Sequence, residues 1–239
     1  MIKDNPFRLL GVVANTSSKE IQKNLSKLNA HLSIGKELKL SFDHDFFGQL
    51  TRDEKLLKKS YNLLNLDNNK LEHALFWIVN ANEIDGVAIE YIIKGNIEKA
   101  IEIWGKQVRK SSVNTNNFSF YNNLSTLLFA KGDYAKAIKL KSELIESKNI
   151  KDFITLICGD KYKVAKIGLL DRFTENTTSA LKETGMKEPE IIQAYSESSQ
   201  NINEIVAVFF VKGPIANIES AIKNAKQLIE NIPITPKIP

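Results

Sequence analysis

The densest group of side chains able to do chemistry is "FDHDFF" at residues 42–47, where Asp43, His44 and Asp45 stand side by side. An imidazole between carboxylates offers ligands of the kind that suit zinc or non-haem iron, or an acid and a base within one site. Neighbouring side chains of an extended segment alternate in direction, so His44 is expected to face away from both carboxylates. A metal would also need further ligands, which the surrounding sequence does not offer. The expectation is a loop pinned by Phe42, Phe46 and Phe47, its polar residues left in water.

The other reactive side chains are isolated. Cys158, the one cysteine, lies in the apolar stretch "DFITLICGDKY", which excludes a disulfide framework and a multi-cysteine zinc site and predicts a buried structural thiol. His73 in "KLEHALFW" reads as a partly exposed helical histidine, and Trp77 and Trp104 read as core packing on apolar helix faces. There is no phosphate-cradling Gly-rich loop with Lys and Ser or Thr, no Gly-x-Ser-x-Gly elbow and no His-Glu-x-x-His. The expectation is a chain without enzymatic activity, cofactor or metal.

Those residues must be positioned by helices. The 239 residues are 43% hydrophobic, enough for a substantial core, and apolar positions recur every three or four residues with few prolines and glycines. The predicted class is all-α. The net charge is +5 and the pI about 9.0, yet only four of the 33 basic residues are arginines and the lysines are spread along helices. Nucleic acid favours clustered charge and arginine forks, so this balance reads as a solvated lysine-rich surface; the lysines at 55, 58 and 59 read the same way. The N-terminus lacks the pattern of a secretory leader and no run of about 18 apolar residues occurs. A cytoplasmic location without a membrane span is expected.

Along the chain, Asn5-Pro6 opens a short helix ended by Gly11, and Thr16, Ser17 or Ser18 caps a second, with Ile21, Leu25, Leu28 and Leu32 on its buried face. Residues 35–49 lose periodicity and predict a loop. A third helix follows near Thr51 with Leu57, Tyr61 and Leu64 inward; "DNN" at 67–69 is expected to break it, and "KLEHALFWIVN" to resume as a strongly apolar helix. The segment "NPFRLLGVVANTSSKEIQKNLSKL", with "KKSYNLLNLDNNKLEHALF" after it, resembles a DnaJ-type J domain over residues 4–78. In that family the second helix ends in His-Pro-Asp, through which DnaK-type chaperones are stimulated. An ungapped alignment places Ser33, Ile34 and Gly35 on those positions. The resemblance therefore implies the scaffold without the tripeptide.

"KGNIEKAIEI" at 94–103 returns as "KGDYAKAIKL" at 131–140, a shift of 37 residues, and self-similarity at such a period indicates stacked helical hairpins. The pattern resembles tetratricopeptide repeats at Val87, Ala88, Tyr91, Gly95, Ala100 and Trp104, and again at Tyr121, Leu124, Ser125, Leu128, Gly132, Tyr134 and Ala137. Lys141 stands where the second copy should carry an apolar or aromatic residue, and Asn149 where a closing proline is usual. The combination is similar to a group of bacterial J-domain-like proteins with tetratricopeptide repeats. It implies a degenerate J-like module (1–78), two hairpins (79–149), irregular C-terminal hairpins (150–232) and a proline-containing tail (233–239). Residues 150–183 predict two helices, "PEIIQAYSESSQ" another, and "INEIVAVFFVKG" a buried helix or a strand. An apolar stripe from Ile215 to Ile229 predicts the last helix. The function implied is an adaptor that binds a peptide or helix on the concave face of its repeats. By register, Asn82, Asp85, Ile89, Ile92, Asn122, Thr126 and Phe129 would line that face. The alternative is a co-chaperone that engages a DnaK-type partner through another surface.

Overall fold

A computed structural model describes residues 1–36 and 38–210, and every regular element among them is helical. The stripe from Ile215 to Ile229 and the tail 233–239 lie outside the described residues.

The N-terminal part holds α1 (Pro6–Leu9), α2 (Ser18–Ser33), α3 (Glu54–Leu64) and α4 (Asp67–Ala74). Asn5 caps α1, Ser17 caps α2 and Asp53 caps α3, each side chain accepting from a first-turn amide that would otherwise lack a partner. α1 packs on α3 and α4, and α2 on α3. Between α2 and α3 the chain runs without regular structure apart from a 3-10 turn at Asp45–Phe47. Its anchor is Arg8, buried on α1, whose guanidinium donates to the carbonyls of Lys3, Phe42, His44, Phe47 and Gly48. Arg52 fixes the loop's far end, donating to Leu9 O and Arg8 O and pairing through two nitrogens with Asp43.

Two hairpins follow, α5 (Glu83–Ile93) with α6 (Ile97–Val108) and α7 (Phe118–Lys131) with α8 (Tyr134–Glu146). Each turns on a glycine at the matching repeat position, Gly95 at φ 80° and Gly132 at φ 90°, a conformation that any Cβ would strain. Small residues at Ala88, Ala100 and Ala137 are fully buried between the helices. α6 packs on α7, so the hairpins stack. α9 (Ile150–Cys158) covers α4 and α7, while α10 (Lys166–Glu183) and α11 (Glu188–Ala194) cover α8. Residues 200–210 are helical, which decides the helix-or-strand alternative there for the described part.

Two expectations change. "DNN" at 67–69 does not interrupt a helix; Asp67 opens α4, and the break lies just before it at Asn65–Leu66. The apolar run "LFWIVN" is not helical either, since α4 stops at Ala74 and residues 75–81 form a connector that turns over 75–77 and has no regular structure over 78–81. Leu75, Phe76, Trp77, Ile78 and Val79 are all buried in it. An apolar run of this length is read equally well as a buried helix or as a buried extended segment, and here side chains from elsewhere take over its backbone hydrogen bonds.

Candidate functional site

Four asparagines hold the connector. From the N-terminal part, Asn5 Nδ2 donates to His73 O and Phe76 O, and Asn15 engages both backbone groups of Asn80. From α7, Asn122 Nδ2 donates to Trp77 O at 2.7 Å, and Asn123 both accepts from Val79 N and donates to Val79 O. A carboxamide presents one donor and one acceptor side by side, so it completes an extended backbone as a neighbouring strand would. Trp77 sits at the crossing, its indole donating to Val12 O and its ring 5.4 Å from those of Phe42 and Phe47. Phe76 reaches the other way and stacks on Phe173 of α10.

Behind the connector the two hairpins repeat one arrangement with different chemistry. In the first, Trp104 on α6 donates through Nε1 to Asp85 Oδ1 on α5 at 2.9 Å. In the second, 37 residues on, Lys141 on α8 donates to Asn122 Oδ1 on α7 at 2.5 Å and to Asn122 O at 3.1 Å. All four side chains are at most 1% exposed. Asn122 Nδ2 meets Asn123 Oδ1, and Asn123 Nδ2 meets Asp85 Oδ1, so amine and carboxylate are joined through two carboxamides. Burial raises the Asp85 pKa, opposed by hydrogen bonds from Ser119, Ala81 N, Trp104 and Asn123. Burial alone drives the Lys141 pKa well below its ordinary value. Among the described residues an ammonium there has no carboxylate to offset its desolvation.

The residues expected on an open concave face are mostly interior. Asp85, Ile92 and Asn122 are fully buried, Thr126 and Ile89 nearly so, and Phe129 packs edge-on against Phe76 and Tyr134. The connector and α9 lie against α7 on the face where a partner was expected, so these side chains bind the chain's own backbone and core. Asn82 differs: it caps α5 and also lines an open groove of about 770 Å3 formed with the α6–α7 loop and α9. The groove walls carry carboxamides and hydroxyls from Gln107, Ser111, Asn114, Thr115 and Asn116, with Ile84, Phe118, Phe120 and Leu156 as its apolar parts. Its charged side chains are Glu83, Lys110 and Asp152. Periodicity could not reveal this groove, because the loop and α9 that form it belong to no repeat; the run "SSVNTNN" was the one compositional signal.

Asp43, His44 and Asp45 do not converge. Asp43 is committed to Arg52, while the His44 ring lies at 3.1 Å from Ile93 O. Among the described residues no group of three or more His, Cys, Asp or Glu side chains could hold a metal ion. Phe42 and Phe47 are buried as expected of pins, and Phe46 partly so. Cys158 is half-buried rather than buried, its thiol against Asp67 O, and burial with the nearby Asp67 raises it to about 11, far from the thiolate a nucleophile needs. His73 is lowered to about 4 by burial, with a smaller push from the N-terminal ammonium. Trp77 and Trp104 are core residues. Ser33, Ile34 and Gly35 end α2 in solvent, Ile34 at 62% exposure. No described helix is long and apolar enough to cross a membrane.

No family model, no curated protein and no solved structure matches this chain.

Proposed function

We propose that this chain is a non-enzymatic adaptor, and that its protein partner enters the groove along the start of α5, the α6–α7 loop and α9. The observation that carries this is the groove's lining, apolar side chains mixed with neutral carboxamides and hydroxyls and with few charges. Such a lining complements the alternating donors and acceptors of an extended polypeptide while giving its side chains an apolar seat. In this reading the N-terminal J-like module serves as a rigid end piece for tetratricopeptide-like hairpins.

The test is capture from nuclease-treated lysate by the wild type and by Ile84→Glu/Thr155→Glu, two exposed groove positions, with helicity checked by circular dichroism. A protein captured by the wild type and lost in the variant supports the groove. Equal capture by both removes it.

A second reading rests on the exposed end of α2. Ile34 offers an apolar contact where the tripeptide of a J domain would stand, so a DnaK-type chaperone could be engaged there by different chemistry. Stimulated ATP hydrolysis that Ile34→Asp abolishes would support it, and no stimulation at saturating protein would remove it.

A further inference from the structure

The buried amine of Lys141 has no part in the groove, and the geometry around it points beyond the adaptor reading. Its hydrogen bonds go to two oxygens of one residue, Asn122, which in turn holds the connector at Trp77 O and Ala74 O. Among the described residues α7, α9, α10 and α11 pack on α8. α7 sets Asn122 against the amine, and among the described residues no ion pair includes Lys141. The carboxylate of Asp85, at the far end of the carboxamide chain, faces Ser119, Asn123, Trp104 and Ala81 N, none of them charged. His73, one residue before Ala74, titrates only near 4.

We propose that Lys141 and Asn122 form a proton-operated latch between the N-terminal part and the hairpins: a proton taken from solvent by Lys141 leaves an unpaired ammonium inside, α7 and α8 part to hydrate it, and Asn122 lets go of the connector. The latch is closed while the amine is neutral. Opening disturbs Trp77 on the connector side and Trp104 on the hairpin side, because the two belong to the same hydrogen-bonded chain.

Trp77 and Trp104 are the chain's only tryptophans, so intrinsic emission reads both sides of the latch. The full chain is acidified from about pH 9 to about pH 5, a window that takes in the range of about 5–6 documented for buried lysines. The expected result is a red shift of emission at unchanged far-ultraviolet helicity, lost in Lys141→Met, which removes both charge and hydrogen bond. It is also lost in Lys141→Gln, which keeps an amide donor toward Asn122 and cannot titrate. Absence of the shift in the wild type, or its persistence in either variant, overturns the latch. Lys141→Gln keeps the test decisive should Lys141→Met fold poorly.

Discussion

The first hairpin places an indole against a carboxylate, and the second, at the same register, places an amine against a carboxamide. Geometry is kept in both: a donor on the second helix reaches the first helix through the core. What differs is which member carries ionisable charge and how it is compensated. Asp85 receives four donors that favour its ionised form, whereas Lys141 has two neutral acceptors from one residue. The surroundings differ too. α5 leaves Glu83, Ile84, Val87 and Glu90 in water, while α7 is buried from Phe118 to Leu127 on every face because the connector, α9 and the 3-10 turn also lie against it. The comparison teaches that a repeat position fixes direction and leaves chemistry free to follow the neighbours.

The largest break in this comparison is expected from Asn122→Ala. Removal of the carboxamide orphans Trp77 O, at about 1–3 kcal/mol, and takes from Lys141 Nζ the shorter of its two bonds, at about 1 kcal/mol, so a loss of about 2–4 kcal/mol is expected in urea unfolding. A loss no larger than that of an exposed alanine substitution would show that water replaces the clamp.

Lys141→Met is expected to act in the opposite direction. Replacing the buried amine removes the cost of keeping it deprotonated inside, and against that gain Asn122 Oδ1 loses its donor, at about 1–3 kcal/mol. The sign depends on pH. Above the ordinary lysine value of 10.5 the amine is neutral in both states and contributes nothing. Below it the unfolded chain takes up a proton that the folded interior resists, so wild-type stability falls as pH falls until the lowered native pKa is passed. The gain of the variant over the wild type therefore opens below 10.5, grows downward and then levels, which parallel denaturant series at several pH values would trace. A gain independent of pH would show that packing, not the proton, limits the second hairpin.

Trp104→Phe asks the same of the first hairpin, at smaller cost. Asp85 loses one of its four donors and the core loses part of an indole, about 1–3 kcal/mol in all. Burial raises the Asp85 pKa, so its contribution is present below the unfolded value of 3.8 and lost as pH rises through the native one. Without the indole donor the native value climbs further, and the penalty of the variant shrinks in acid, where the carboxyl is protonated in both states.

Much of this was legible in the sequence, and the rest had a physical reason to be hidden. Ser17 and Asn82 read as caps or register positions because capping is local, and the two glycines, the alanines and Trp104 followed from the repeat. Lys141 stood out as the one residue of the second copy that broke the apolar pattern. Its burial was not legible, because periodicity cannot show that the amine would turn inward to meet Asn122 on α7 rather than outward to water. The same holds for Asn122 and Thr126: register put them on one face, but which face is open depends on the connector and α9, segments outside any repeat. "LFWIVN" misled for a related reason, since the asparagines that hold it out of a helix lie up to 71 residues away.

The smallest effect is expected at Glu102, and it sharpens the comparison from outside. This carboxylate on α6 lies between Lys99 and Lys106, 2.7 Å from each, and their hydrogen bonds, Lys106's first, lower it to about 2. The value suggests a strong pair, but all three side chains are well exposed, so water and salt screen the attraction and ordering the long side chains offsets what remains. A group held below its unfolded value of 4.5 contributes its stability above that value and loses it as pH falls toward about 2. Glu102→Gln should leave the unfolding midpoint unchanged within error at neutral pH in moderate salt, with at most a slight difference at low ionic strength that closes on acidification. The same formal change of one charge would then matter at Lys141 and not at Glu102, which places the control in burial rather than in the number of partners. A clear neutral-pH destabilisation by Glu102→Gln would instead mean that the exterior lysine pairs hold α6 against its neighbours and that the interior contrast between the hairpins is the lesser of the two.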